Sequence, residues 1–467
     1  RRPVLVLATS GTAPANWLPA VIEANQAGAP LIFISADRPP EQQGCGSNQT
    51  IDQVRLFGTH VRASYTLGTP EAGFDPAYLH RLAARIFEQT CWPLPGPVHI
   101  NQPFREPLLP IGEMLPATPL AKICISWSEQ VPNPEAIRAL ALAISGRPGF
   151  IVCGELPTED GFAEALGALA AHLSCPIFAE PLSNLRFRSH ERSHLCVRYN
   201  RWLADQEFVE KYQPEWILRF GAFPVTRHLQ SYISSNAIIH ALVEPWPRWT
   251  DPAHRLTHLL RAGPLAVCRA LLAEAPEPTP SGWHAAFVEK EASVHFGNVA
   301  THISVLIEAL PENTPVFVGN SLAIRQLDSE SGSGDKRLNF YGNRGASGID
   351  GNISTAIGIA ASRGRVVALL GDLTCQHDLG GLALAQGRDV IIVAVNNGGG
   401  GIFDLLPQAA LPEFEQGWRT PQQIRFEHAA RTFGLAYAHA DSNDSFQEVL
   451  HQALLAGGPH LIELVVS

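Results

Sequence analysis

Asp372 closes the apolar run RVVALLGD, and Asn396-Asn397 close the run DVIIVAVNN, with Asn397 twenty-five positions after Asp372. Four glycines, Gly398 to Gly401, then lead into Ile402-Phe403. Glycine loses much backbone entropy on folding, and asparagine side chains compete for backbone hydrogen bonds, so this string is a poor stabiliser. Its chemistry is more telling. A carboxylate, an amide oxygen and an open backbone carbonyl are hard oxygen donors that suit Mg²⁺ or Ca²⁺ and not zinc. Mg²⁺ keeps part of its shell for water and phosphate oxygens, which makes a bound diphosphate the natural partner. The glycines allow a sharp turn and offer carbonyl and N–H groups to such a ligand, and Gly371 lets backbone approach beside Asp372. The bland alternative is a Gly-rich turn with an Asp capping a helix over 378–386. The pairing of two strand ends argues against it.

Those donors meet only if the two apolar runs are neighbouring parallel strands. The intervening DLGGLALAQ, expected as a helix, leaves room for a right-handed crossover, and ligands in open α/β sheets sit at the C-terminal strand edge. The same alternation of strand-like runs and amphipathic helices fills the chain. VLVLATS, PLIFISAD and GPVHINQPF surround helix ANWLPAVIEANQAG. GFIVCGE, CPIFAE, WILRFGAF and AIIHALVE follow, then TPVFVGNS and PHLIELVV. PLLPIGEMLPATPL and AEAPEPTPSG are Pro-rich and read as linkers. The expectation is an α/β protein of three doubly wound parallel-sheet domains: 1–112, a linker 113–145, then 146–275 and 276–467. Because the chain opens directly on VLVLA, the first domain is expected to be incomplete.

Composition narrows the function. With 467 residues, 45% hydrophobic and 17% charged, the chain is globular and exceeds one ordinary core. A net charge of −10 with no basic run argues against nucleic-acid binding, while local arginines can still hold small anions. No run reaches membrane-span length. The eight cysteines lack C-x-x-C spacing, which points to reduced thiols in a cytoplasmic protein. Neither a P-loop nor a G-x-G-x-x-G in strand–helix context is present.

GDL…NN departs from the thiamine-diphosphate (ThDP) motif, G-D-G followed by N-N, at Leu373. With TSGTAPAN, ISADRPPE, CGSNQ, FVGNSLAIR, NRGASGIDG and NNGGGGIF, the chain resembles one family. That family is the 2-succinyl-5-enolpyruvyl-6-hydroxy-3-cyclohexene-1-carboxylate (SEPHCHC) synthases of the menaquinone and phylloquinone pathway. The resemblance implies decarboxylation of 2-oxoglutarate and addition of the succinyl carbanion to isochorismate, using ThDP and Mg²⁺ or Mn²⁺. It implies pyrimidine-binding, central and diphosphate-binding domains, and a homodimer or homotetramer with sites between subunits. It places the enzyme in the cytoplasm, or in the plastid stroma of a photosynthetic eukaryote.

Residue by residue, it assigns Asp372, Asn397 and the Gly399 carbonyl to the metal. Gly371 and Leu373 line the cofactor, Ile349 props it in a bent shape, and Ile402 and Phe403 wall the thiazolium. Arg38, Asn48 and Gln49 face isochorismate. Ser321 and Arg325 grip 2-oxoglutarate, Arg344 binds a carboxylate, and Arg248 is a further substrate contact where the local spacing differs by one. Arginine suits carboxylates because its planar guanidinium stays charged. The Glu that activates ThDP in this family would precede Arg1, and neither Glu23 nor Asp37 replaces it, so this chain alone is expected not to complete turnover. Two alternatives stand beside this reading. One is another ThDP-dependent 2-oxoacid decarboxylase or acetohydroxyacid synthase, which usually keeps Gly at the Leu373 position. The other is a non-catalytic ThDP-binding remnant.

Overall fold

The computed structural model of the chain describes residues 2–71, 74–109, 121–157, 159–188, 191–234, 237–294 and 300–466. Residues 110–120, most of the Pro-rich stretch PLLPIGEMLPATPL, lie outside them, and the expected linker 113–145 contains the helix Pro134–Ile144. Three parallel sheets form, and they fall into two compact units, Arg1–Glu129 with Asn343–Gly348, and Gln130–Gly342 with Ile349–Ser467.

The first unit holds β1 (Val4–Ala8), β2 (Leu31–Asp37), β3 (Ser64–Thr66) and β4 (Val98–Pro103), in the order β1-β2-β4-β3. Phe33 points to one face with Val21 and Phe57, and Ile32 to the other with Ile86 and Val98, the period-two alternation of a strand buried on both faces.

The second unit contains the other two sheets. One comprises β5 (Gly149–Cys153), β6 (Ile177–Ala179), β7 (Leu195–Cys196), β8 (Trp216–Phe220), β9 (Ile239–Val243) and β10 (His258–Leu260), ordered β10-β9-β8-β5-β6-β7. Ile151, Leu218 and Ala241 pack on one side under helices Pro134–Ile144, Phe162–Leu173 and Pro264–Glu274. Phe150, Phe178 and Ile217 pack on the other against Tyr199, Trp202, Trp283 and Phe287. The last sheet comprises β11 (Pro315–Val318), β12 (Asn339–Tyr341), β13 (Val366–Gly371), β14 (Val390–Asn396), β15 (Ala436–Ala440) and β16 (His460–Val465), ordered β12-β11-β13-β14-β16-β15. Its two faces carry separate cores, one built on Val367, Leu369 and Val393, the other on Val366, Ala368 and Ile392.

Two local expectations need correction. The helix expected over 15–28 is two, Thr12–Ala15 and Leu18–Ala27, with Pro19, which lacks an N–H, in the first turn of the second. The segment 378–386 is a 3₁₀ stretch, Leu379–Ala385, and the α-helix after β13 is Asp372–His377. Asp378 does not cap its own segment. Its carboxylate accepts the Ser354 N–H at 2.7 Å and the Ser354 hydroxyl at 3.0 Å, fixing the start of helix Asn352–Arg363.

Within the second unit, one buried cation stitches sheet to sheet. Arg186 is fully buried and donates to the Ala179 carbonyl (2.7 Å), the Asp328 carbonyl (2.8 Å), the Asp328 carboxylate and the Tyr199 hydroxyl (3.2 Å). Tyr199 donates in turn to Asp328 at 2.6 Å. Asp328 lies on helix Leu322–Glu330, which extends from the end of β11. Removing one member of a buried pair strands the other charge in a medium of low dielectric. D328A should therefore lose about 3–5 kcal/mol of stability in urea unfolding, whereas replacing Arg186 and Asp328 together by Met and Leu should lose far less.

Candidate functional site

β13 and β14 pair in parallel with Gly371 opposite Val395, so Asp372 and Asn396-Asn397 leave the sheet at one edge. Asp372 is 2% exposed. Its Oδ1 accepts the Leu373 N–H and its Oδ2 the Gly399 N–H, each at 2.7 Å. Burial pushes its carboxyl above the usual range, opposed by these N–H groups and by the Arg419 charge.

The two asparagines differ in function. Asn396 Nδ2 donates to Glu463 at 2.7 Å, and its Oδ1 accepts the Gly398 N–H at 3.0 Å, so this residue shapes the turn. The Asn397 Oδ1 is buried and has no hydrogen-bond partner, which is costly unless something occupies it. Glycine is required most clearly at two positions. At Gly399 (φ +137°) a Cβ would stand 2.5 Å from the Arg419 carbonyl, and at Gly401 it would stand 2.5 Å from the Asn397 amide. Ile402 and Phe403 continue into a 3₁₀ turn, half-buried. Among the described residues no group of three or more His, Cys, Asp or Glu could hold a metal. One carboxylate with neutral oxygens can instead serve a hard ion that shares its shell with a ligand's anionic oxygens.

β11 lies beside β13, with the Gly319 N–H donating to the Leu369 carbonyl at 2.9 Å, so its end reaches the same edge. There the chain turns sharply from strand to helix at Ser321, whose φ of 66° and ψ of −126° are strained for a residue with a Cβ. Arg325 folds back one turn and donates to the Ser321 carbonyl at 2.7 Å. Ile349, half-buried, lies three residues before the helix Asn352–Arg363 that Asp378 anchors. Asp378 directly follows helix Asp372–His377, so the Ile349 loop is tied to the Asp372 strand end. Arg248 follows β9 of the other sheet, with its guanidinium over the Trp246 ring at 5.3 Å.

The first unit carries Arg38, Asn48, Gln49 and Arg344. Gln49 adopts φ 56° and donates to Thr9 Oγ1 (3.2 Å) and the Ser10 carbonyl (3.1 Å), while the Ser10 hydroxyl donates to the Gln49 carbonyl (2.9 Å). Arg38 is half-buried; its N–H donates to the Asp37 carboxylate at 2.7 Å. Asn48 is exposed. Arg344 sits in a turn held by Glu23, whose two carboxylate oxygens accept the N–H groups of Gly345 and Ala346, each at 2.7 Å.

The hub beneath these loops is Gln53, which the sequence reading missed. Buried to 1% exposure, it accepts the Gly11 N–H (2.8 Å) and donates to the Ala36 carbonyl (2.9 Å) and Asn101 Oδ1 (2.8 Å). Asn101 donates to Asp37 at 2.7 Å. A lone Gln in IDQVRLF has no spacing signal. Glu463 had one, as a charge inside the apolar run PHLIELVV. Arg419 had none.

Residues 333–464 match the family model described as "Thiamine pyrophosphate enzyme, C-terminal TPP binding domain", and residues 1–56 match its N-terminal counterpart. A relative from Dechloromonas aromatica (strain RCB), named 2-succinyl-5-enolpyruvyl-6-hydroxy-3-cyclohexene-1-carboxylate synthase, is 64% identical over 462 residues, covering 99% of this chain and 86% of that protein. The chain belongs to the SEPHCHC synthase family. Relatives of the same name from Geobacillus kaustophilus (strain HTA426) and Halobacterium salinarum (strain ATCC 29341 / DSM 671 / R1) are 36% and 37% identical. Each alignment covers at least 99% of this chain and 84% of the relative. The fold extends beyond the SEPHCHC synthases. The crystal structure of benzoylformate decarboxylase from Polynucleobacter necessarius superposes with a TM-score of 0.71 over 100% of this chain and 87% of that one, at 17% identity. The three parallel sheets are thus those of ThDP enzymes. Among the described residues no helix is long and apolar enough to cross a membrane.

Substitutions at two positions probe this architecture. Ser321→Gly should relieve the strained turn and raise stability by about 1 kcal/mol in urea unfolding, whereas Ser321→Ala should leave stability nearly unchanged. His99 is fully buried in the first unit. Ser35 Oγ donates to Asn101, so the His99 Nε2–H donates to Ser35 (2.8 Å), while its Nδ1 has no acceptor for a second proton. Burial lowers its pKa from 6.5 to about 4. The unfolded chain therefore binds the extra proton first. Stability contributed by neutral His99 is full above pH 6.5 and falls as pH drops toward 4. His99→Gln should flatten the wild-type stability decline across that window, as read by denaturation midpoints at each pH.

Proposed function

We propose that the protein is a ThDP- and Mg²⁺-dependent synthase that decarboxylates 2-oxoglutarate and joins the succinyl unit to isochorismate, releasing SEPHCHC and CO₂ in menaquinone or phylloquinone synthesis. The observation that carries this reading is the buried, unpartnered Asn397 Oδ1, within the segment that matches the TPP-binding model and one turn from the Asp372–Gly399 contact. An oxygen held without a partner fits a metal ligand. The carboxylate of Asp372, Asn397 Oδ1 and the Gly399 carbonyl would hold Mg²⁺, or Mn²⁺, leaving sites for diphosphate oxygens. When bound, ThDP supplies the electron sink for decarboxylation.

The remaining assignments concern this chain's own residues. Ser321 presents its hydroxyl at the start of helix Leu322–Glu330, and Arg325 lies one turn along it. A carboxylate of 2-oxoglutarate gains there from charge-assisted hydrogen bonds and the helix dipole. Arg344 takes a further carboxylate. Arg38, Asn48 and Gln49 recognise isochorismate, and Arg248 contacts substrate. Ile349, Ile402 and Phe403 supply apolar walls that support the cofactor and exclude water, with Gly371 and Leu373 along its edge. The working form is a homodimer or homotetramer.

The test is an assay of the purified full-length protein with 2-oxoglutarate, isochorismate, ThDP and Mg²⁺. CO₂ release should require both substrates and stop with chelator. Asp372→Asn and Asn397→Ala should each lower kcat/KM by about 100-fold or more, and Arg325→Ala should mainly raise the KM for 2-oxoglutarate. Release that proceeds equally well without isochorismate, or full activity in Asp372→Asn, would overturn the reading.

A further inference from the structure

Four glycines in a row make an adaptable loop, and adaptable donors bind hard ions poorly. Mg²⁺ in particular demands near-ideal octahedral geometry, while Ca²⁺ tolerates flexible shells. Something must therefore fix residues 397–401 before an ion arrives.

The structure points to one side chain. Arg419 ends the turn Glu415–Arg419, far along the chain from the asparagines. Its Nη2 donates to the Asn397 carbonyl at 2.7 Å, and its Nη1 pairs with the Asp404 carboxylate at 2.7 Å. Its own carbonyl accepts the Gly400 N–H at 2.6 Å. The Gln422 N–H adds a contact to the Gly398 carbonyl at 3.3 Å. One residue thus grips the loop at its first ligand, its middle and its far end. The glycines are shaped around it. A Cβ on Gly399 would meet the Arg419 carbonyl at 2.5 Å, and one on Gly401 would meet Arg419 Nη1 at 2.8 Å.

We infer that Arg419 is a positioning residue that presets the glycine loop for a divalent cation and its diphosphate. This rests on the reading of Asp372, Asn397 and Gly399 as the ion's ligands. A guanidinium is a cation with no lone pair to offer, so Arg419 acts through the Asn397 backbone and the Gly400 N–H, and does not itself bind the ion. A guanidinium is suited to this because it holds two acceptors in one rigid plane, which the single ammonium of Lys cannot reproduce. Without it, binding must order the loop at the ion's expense, and the stricter ion suffers more.

The test is calorimetric titration of the metal-free protein, at saturating ThDP, with Mg²⁺ and separately with Ca²⁺. Arg419→Gln should raise the Mg²⁺ Kd by about tenfold and the Ca²⁺ Kd by less than about threefold, with Arg419→Lys between it and wild type. An Mg²⁺ Kd within about twofold of wild type, or equal losses for both ions, would overturn the inference. Asp372→Asn serves as the reference. If it binds Mg²⁺ like wild type, the ligand reading itself fails, whatever Arg419→Gln does. Should Arg419→Gln not fold, Asp404→Asn frees one arm of the guanidinium. It should give the same preferential loss of Mg²⁺, and its absence would overturn the inference equally.

Discussion

Everything at the candidate site depends on one backbone constraint, the parallel pairing of Val366–Gly371 with Val390–Asn396. That ladder brings a carboxylate and an amide, twenty-five residues apart in sequence, to one sheet edge. Both strands are apolar on both faces, since each face carries its own core. A slip of one residue would exchange the two faces and move Asp372 away from Gly399. The hydrophobic pattern that folds the sheet therefore also sets the position of its donors.

Around that edge buried and half-buried polar groups hold the loops. Glu463 aligns Asn396, Asp378 anchors the helix behind Ile349, and Asp328 with Arg186 secures the helix that starts at Ser321. In the first unit Gln53, Asn101 and Asp37 do the same for the TSGT and ADRPP segments. Loops are where backbone groups lose their regular partners, so each needs a side chain from elsewhere to hold one conformation. Most candidate ligand-binding residues sit on these loops, and Arg325 sits on the helix that follows one.

Legibility followed burial. The strands read from sequence were the long apolar ones, mostly central in their sheets, such as GFIVC and VVALL. The strands without a signal were Ser64–Thr66, Leu195–Cys196, His258–Leu260, Asn339–Tyr341 and Ala436–Ala440, and each lies at a sheet edge. An edge strand pairs on one side only and can be short and half-polar, as AYAHA is. The helix expected over 378–386 failed for a related reason. Asp378 is a plausible cap by sequence, but the Ser354 N–H, twenty-four residues upstream, competes for its carboxylate and wins.

The sequence by itself determined the sheet type and the family and nominated a donor set, because apolar runs, strand-end residues and multi-residue motifs are local patterns. Only the tertiary structure decided which of the paired asparagines shapes the turn and which keeps a bare oxygen. It also decided that Ser321 sits in a strained elbow, and that Arg419 closes the glycine loop. Those outcomes turn on partners distant in the chain, and on a φ angle or a missing Cβ whose meaning exists only once another backbone stands within contact.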